Sequence, residues 1–509
     1  MPRGPVSLQF RTCRWFLGFF LLGKISLFGQ TGEEGTQNTV YVIRAVEYRI
    51  TGKTRPHALN RVLNPRPGKI LPSLEALEGY IAEKTRELHN IRALEAGESF
   101  ISYTLGERES DGRIPVDLEV FAFDSGNFIV LPEPKYDSNS GFTLSLKARN
   151  YNLFGSLSPL KFDLGWETDE KERKSLGFLL DAELPFRAFG RDWNFTFSHN
   201  FKYYFNAPAY YKQALGLSVD FPLWFTVLRT GFEQGLVIHE ENNTKDRIED
   251  GDYHDWYLYS RIYGRWKIPT PLEAGPFGTV SYTPELYGNI NYQPRGDVGE
   301  YRRGPSVGLI QRLGFDRIDW LGNFRQGLSA ELTAAIDYNT ACGDWDNSIG
   351  AGLQGHLRVS RLFGVSGRFT YTLWLDDSYD RGGDLIRGYR DDELDLTQRL
   401  SFNLDFPFRL IRFVPSEWFN NPRVRYFDFE QHWSPFIDIL MADSSGSGYS
   451  FKPEDAVIAL GLELITFPLA WRSFYLRISA GWDIREWVLR GRLPSGIHRE
   501  IFIGLGHFY

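Results

Sequence analysis

Strict alternation of apolar and polar side chains, repeated from about residue 128 to the C-terminus, limits this chain more than any other feature. Phe142, Leu144, Leu146 and Ala148 alternate with Thr143, Ser145, Lys147 and Arg149. Leu215, Leu217, Val219 and Phe221 alternate with Gly216, Ser218 and Asp220. Near the end, Phe474, Leu476, Ile478, Ala480 and Trp482 oppose Ser473, Tyr475, Arg477, Ser479, Gly481 and Asp483. A period of two puts each set on one face of a strand, so every run has a greasy face and a wet one. A soluble sandwich turns the greasy faces toward a second sheet. A transmembrane barrel turns them toward lipid and encloses the charges in a lumen.

Two signals favour the barrel. Strands running in one direction end in an apolar residue and a proline, at Leu184-Pro185, Phe221-Pro222, Phe406-Pro407 and Phe467-Pro468. Proline is expected to stop the ladder there at a short turn, with the preceding side chain at a membrane interface. The opposite connections, such as His239 to Asp252 and Asn339 to Asn347, read as long and hydrophilic. Short turns on one rim and long loops on the other belong to membrane barrels. The alternating runs predict about 16 strands, 18 at the upper end, with the divisions between 290 and 360 least marked.

Composition removes other classes. A chain of 509 residues with a formal charge of −7 has no positive field for nucleic acid. The only cysteines are Cys13 and Cys342, and the 9 histidines are scattered without ligand spacing, so neither a disulfide framework nor a metal site is expected. G-x-S-x-G, H-E-x-x-H and P-loop patterns are missing, and no nucleophile, base and oxyanion set stands out. The sequence therefore predicts neither an enzyme nor a bound cofactor.

Residues 1–29 read as a secretory signal. Arg3, Arg11, Arg14 and Lys24 flank the apolar run Trp15 to Gly23, which is too short to span a bilayer as a helix. Residues 30–125 form a separate unit of mixed pattern, and residues 126–509 the barrel. Within the first unit the predicted order is strand Val40 to Ile50, helix Pro56 to Leu63, helix Ser73 to about Ala96, then strands Phe100 to Leu105 and Ile114 to Ala122. Ser73 is a plausible cap, and Leu74, Leu77, Ile81, Thr85 and Leu88 share one helix face.

One loop carries the most specific signal. Asp384-Leu385-Ile386-Arg387-Gly388-Tyr389-Arg390 lies between an alternating run ending near Leu375 and another beginning near Ser401. It reads either as a solvated turn, with Gly388 at positive φ, or as a loop folded into the lumen, where Arg387 needs a carboxylate.

Ile386, Arg387, Gly388 and Tyr389 resemble the (V/I)-R-G-(F/Y) motif of the BamA/TamA superfamily, the bacterial surface antigen barrels that insert or translocate proteins at outer membranes. The tetrapeptide alone would arise by chance in roughly one or two chains per hundred of this length. Asn150-Tyr151-Asn152-Leu153-Phe154-Gly155 is similar to the N-x-N-L-F-G turn near the start of that family's barrel. The β-α-α-β-β order of residues 30–125, with Gly52 and Gly68 at its turns, looks like a single POTRA domain, although a generic α+β spacer would share the pattern.

The resemblance implies an antiparallel transmembrane barrel in the bacterial outer membrane with its N-terminal domain in the periplasm. Its partners would be outer-membrane lipid, unfolded outer-membrane protein clients and periplasmic or lipoprotein accessory subunits. The family's F-x-D-x-G strand motif maps to Phe436-Ile437-Asp438-Ile439-Leu440, which makes Asp438 the implied partner of Arg387 and puts Leu440 where the motif has glycine. The family's first-to-last strand seam is weakly closed, and Gly504 and Gly506 would weaken it here, unless they merely relieve curvature. The terminal Phe508 and Tyr509 resemble the recognition signal of assembly clients, or else simply end an edge strand. A passive channel built on the same barrel, and a soluble adhesin, are the competing functions.

Overall fold

The computed structural model describes residues 39–505 apart from 138–140, 169–173, 206–207, 225, 240–255, 295–303, 376–379, 382–384, 388–394, 397, 420–421, 444–450, 452–455 and 492–498. The expected signal segment, Gly388, Tyr389, Gly506, Phe508 and Tyr509 lie outside the described residues.

The N-terminal unit contains β1 (Val40–Thr51), α1 (Pro56–Leu63), β2 (Ile70–Leu71), α2 (Leu74–Asn90), β3 (Phe100–Leu105) and β4 (Arg113–Phe123). The sheet order is β2-β1-β4-β3, with β1 and β4 parallel at the centre. Ser73 caps α2, its Oγ accepting from the Ala76 N–H at 3.1 Å. Leu77, Tyr80, Ile81 and Leu88 form the buried face, while Leu74, expected on it, is exposed. The helix ends at Asn90 rather than near Ala96. Leu94 leaves the helical path, bridges to Asp124 and is buried against Leu59, Leu63, Leu88 and Val120.

Among the described residues the rest of the chain forms an antiparallel barrel of 18 strands in sequential order, counting Gln398–Asp405 and Phe408–Phe413 as one, with the last (Arg499–Leu505) beside the first (Phe128–Asp137). The count lies at the upper end of the range expected from the sequence, and two features blur it there. Ser306–Leu321 and Phe324–Asn339 are joined at Gly322 (φ +69°) by a turn so tight that alternation runs almost straight through it. In addition, Asn339 to Asn347 is no long loop, because the next strand begins at Trp345.

Proline meets the expectation at Phe467-Pro468, where the strand Val457–Pro468 ends, but not at the other three sites. Pro185 and Pro222 lie within paired strands, opposite Asn194 and Val227. Phe406-Pro407 interrupts one strand, which resumes as Phe408–Phe413 beside the same neighbour, Phe429–Asp443. A proline removes a single ladder donor, and the pairs on either side hold the register.

The two faces separate as the alternation requires. Leu144, Leu217, Phe232, Ile262, Leu332, Leu353 and Leu462 are exposed on the outside, Ile262 by 66%. Leaving such side chains in water forfeits about 1.5–3 kcal/mol each, so this band needs an apolar solvent, and among the described residues no second sheet covers it. Inside, Glu285 is 2% exposed and receives Arg261 at 2.7 Å and Arg265 at 2.6 Å. Arg149 with Asp163, and Arg229 with Asp220, make further ion pairs across neighbouring strands. Among the described residues no helix is long and apolar enough to cross a membrane.

The N-terminal unit sits against the rim with the short turns. Asn90 donates to Asp319 Oδ1 at 2.7 Å and accepts from the Trp320 N–H at 2.9 Å. Arg472 Nη1 donates to the Leu94 carbonyl at 2.5 Å, and Arg425 pairs with Glu95 at 2.7 Å. Arg92 stacks on Trp320 with its guanidinium 4.3 Å from the ring centre. Burial first, and then the neighbouring Arg472 charge, lower the Arg92 pKa, so the ring face helps to offset an unfavourable cation.

Candidate functional site

Between the Gly364–Trp374 and Gln398–Asp405 strands, the described residues Leu385, Ile386 and Arg387 are buried inside the lumen. Asp380–Arg381 and Asp395–Leu396 form a short antiparallel ribbon in the same segment. Further in, Leu385 and Ile386 pack with Leu440, Val457 and Ala459 in a small buried cluster. Asn403, on the lumen face of its strand, donates to the Leu385 carbonyl at 2.9 Å and holds the loop against the wall.

Arg387 is 1% exposed. Its Nε donates to Asp438 Oδ2 at 2.8 Å and its Nη2 to Asp438 Oδ1 at 2.7 Å, the fork geometry that an arginine offers a carboxylate. The Arg387 backbone N–H reaches Asp438 Oδ2 as well, at 3.0 Å, so the same aspartate fixes both side chain and main chain. Nη1 turns to Asp405 at 2.9 Å and to Glu463 at 3.5 Å. Phe436 lies under the guanidinium, 3.5 Å from ring centre to Cζ.

The surroundings explain how a charge survives at this depth. Asp438 is fully buried, and an isolated carboxylate there would be very costly. Asp438, Asp405 and Glu463 surround Arg387, and Arg477 approaches Glu463 from the next strand at 3.5 Å. Phe436 keeps its place because Gly461 stands opposite: a Cβ there would lie 2.2 Å from Phe436 Cζ. Leu440, where the resembled motif has glycine, causes no clash; it is fully buried in the cluster that seats Leu385 and Ile386.

Sequence reasoning named Ile386, Arg387, Phe436 and Asp438, and these meet. It did not assign a role to Asp405, Glu463 or Arg477. Asp405 was visible as the third polar residue in Ser401, Asn403 and Asp405, all buried on the lumen face. Glu463 has no comparable local signature. Gly504 is buried in the last strand opposite Arg477. The Asn150 to Gly155 turn forms part of the contact with the N-terminal unit: Asn152 Nδ2 donates to Thr54 Oγ1 at 2.7 Å and Gly155 accepts from the Arg55 N–H at 2.9 Å. Gly155 is at φ +76°, and a Cβ there would meet the Lys53 carbonyl oxygen. Among the described residues there is no cluster of His, Cys, Asp and Glu able to hold a metal ion.

No family model matches the chain, and no curated protein matches it in sequence. Among solved structures, CdiB from Acinetobacter baumannii superposes with a TM-score of 0.50 at 13% identity, covering 92% of this chain and 74% of that one. BamA from Haemophilus ducreyi lacking POTRA domains 1-3 gives 0.39 at 12% identity, covering 92% and 84%. CdiB from Escherichia coli gives 0.39 at 10% identity, covering 94% and 92%. The likeness to the Acinetobacter baumannii protein is one of fold, and the fold of this chain is accordingly that of a CdiB-type barrel.

Proposed function

We propose that the chain is an outer-membrane factor that inserts or translocates client proteins, templating their β-strands at the seam between its first and last strands. The observation that carries this reading is the height of the wall there. The strand next to the last, Leu476–Asp483, has 8 residues before the chain turns into the helix Arg485–Arg490. On the far side Trp256–Glu273 has 18. At a rise of about 3.3 Å per residue and a tilt of about 40°, 8 residues climb roughly 20 Å, less than the apolar band of about 25 Å that a membrane barrel presents. A wall this low beside the last strand thins the adjoining bilayer, which suits entry of a client strand at the seam.

The N-terminal unit fits the role of a periplasmic POTRA-type receiver. Its sheet ends on β3, an edge strand with Phe100 and Leu105 exposed, where an extended client segment can add by main-chain hydrogen bonds. The Arg387 cluster is the latch of the lumen loop, and its contribution is conformational rather than chemical.

Depletion followed by a quantitative inventory of outer-membrane proteins tests the proposal. Loss of other barrels is the expected result. An unchanged inventory, with conductance in planar bilayers that survives deletion of residues 31–125, would replace it with the channel reading.

A further inference from the structure

On the rim that carries the N-terminal unit, the strand broken at Pro407 leaves the wall at Phe413, and the chain rejoins it at Phe429. The excursion between them is far longer than the turn at Phe189-Gly190, where Ala188 already pairs with Arg191. Two short helices, Pro415–Glu417 and Pro422–Phe427, shape it. Its main chain is tied down. The Trp418 and Phe419 N–H groups donate to the Pro415 carbonyl at 3.0 and 3.1 Å, and the Ser416 N–H to Asp428 Oδ1 at 3.0 Å. The Asp428 carbonyl accepts from the Leu469 N–H at 2.9 Å. A backbone satisfied in this way can lie against lipid.

The side chains on display are apolar. Trp418 is 67% exposed and Phe427 70%, and Phe419 and Tyr426 are exposed beside them. A bare cluster of this kind marks an interaction surface, and the wall it grows from says what it meets. Phe408 and Phe413 stand opposite Trp433 and Phe429, and Trp433 stands opposite Leu464, all on the outer face. Arg409 and Arg412 stand opposite His432 and Glu430 on the lumen face. Trp418 meets Phe413 edge-on with ring centres 5.4 Å apart, and Phe363 of the neighbouring turn stacks on Phe408 at 4.5 Å. The lipid-facing surface therefore runs off the strand end onto the excursion without a break. At the tip of that neighbouring turn, exposed Arg361 makes no ion pair among the described residues. On the other side Tyr426 packs on Trp471 at 5.2 Å, in the turn that leads into Leu476–Asp483.

We propose that the excursion is an interfacial shelf that docks on the membrane leaflet nearest the N-terminal unit. Trp418, Phe419 and Phe427 sink among the first acyl carbons, and Arg361 meets a phospholipid phosphate. Indole and phenol rings settle at that depth, and an arginine reaches from it to the headgroups. A docking patch for a protein subunit is ringed by polar side chains, and toward the wall this one has no such ring. Because Tyr426 ties the shelf to the turn below the low strand Leu476–Asp483, the lipid it holds lies at the foot of the low wall. The inference needs only lipid around the barrel and does not rest on the client reading.

The test uses the full chain, in cells and in vesicles of mixed phosphatidylethanolamine and phosphatidylglycerol. With p-benzoylphenylalanine in place of Phe419, irradiation is expected to give phospholipid adducts in both settings, identified by mass. Their yield should exceed by at least about tenfold that from the same probe at Leu74, which is exposed at the opposite end of α2 from Asn90. Arg361→Gln should lower the phosphatidylglycerol share of the vesicle adducts by about fivefold, and an unchanged share would overturn the headgroup contact. A probe that disturbs folding is covered by Trp418 itself. In vesicles of dibrominated phosphatidylcholine, Trp418→Phe should remove a fluorescence component that the bromines quench. Removal of an unquenched component, protein adducts in cells in place of lipid adducts, or equal yields at Phe419 and Leu74 would each overturn the inference.

Discussion

Arg387 and Asp438, 51 residues apart, meet through three hydrogen bonds inside the barrel, two from the guanidinium and one from the arginine's own backbone N–H. The backbone bond makes the contact a clamp on the loop and not just a charge pair. A side chain alone could swing away with the loop; a main-chain N–H cannot leave without moving the loop itself.

Replacing Arg387 by alanine therefore leaves Asp438 buried, charged and stripped of its partner. Removing one member of a buried pair costs about 3–5 kcal/mol. Urea unfolding in detergent micelles should show a loss of that order. The double variant Arg387→Ala/Asp438→Asn should recover part of the loss, because the stranded charge goes with it. Wild-type unfolding of the single variant would mean that the clamp bears no load.

Gly461 makes a second, steric prediction. An added Cβ would lie 2.2 Å from both Phe436 Cζ and the Ala480 carbonyl oxygen, so Gly461→Ala must displace the ring beneath Arg387 or spread two strands. Overpacking of this kind costs about 1–3 kcal/mol. The expected readout is a lower unfolding midpoint with easier protease cleavage of the loop between Leu375 and Gln398. An unchanged cleavage pattern would show that Phe436 does not support the arginine.

Much of this architecture was legible because alternation is a local signal. Leu144, Leu217 and Phe402 announce their outward faces from their neighbours alone, and each is exposed. The strand count was less legible, since a turn as short as that at Gly322 barely interrupts the pattern and a proline pair such as Phe406-Pro407 interrupts it inside a strand. In the site, Asp405 and Glu463 could not be matched to Arg387 beforehand. A lumen wall carries many carboxylates, and which of them face the arginine depends on how far the loop folds in. Leu440 shows the same dependence from the other side: its fit is decided by Ile386 and Val457, neither of which is near it in sequence.

The contact between the N-terminal unit and the rim leads to a third prediction. Asn90 and Arg472 together satisfy the Trp320 N–H, Asp319 and the Leu94 and His89 carbonyls. Asn90→Ala/Arg472→Ala should loosen the unit from the barrel without unfolding either, at about 1–3 kcal/mol for each hydrogen-bonded group left unsatisfied. Planar-bilayer recordings should then show more frequent openings than the wild type, because these contacts hold the unit against the rim. Identical recordings would show that the unit does not restrict the mouth.

The last prediction concerns the outer face. Ile262 is 66% exposed and pairs with Phe232 and Gly288 on the neighbouring strands. Its alternation partner Arg261 points inward to Glu285. Ile262→Arg places a guanidinium on the wall that the apolar band assigns to acyl chains, where a cation near the midplane costs about 2–4 kcal/mol. In water the same change would be neutral or mildly stabilising, since an exposed isoleucine would give way to a solvated side chain. Folding into phosphatidylcholine vesicles, followed by the shift in gel mobility on heating, separates the two environments. The variant should fold into vesicles in lower yield than wild type, and a yield equal to wild type would mean that this face meets solvent instead of lipid.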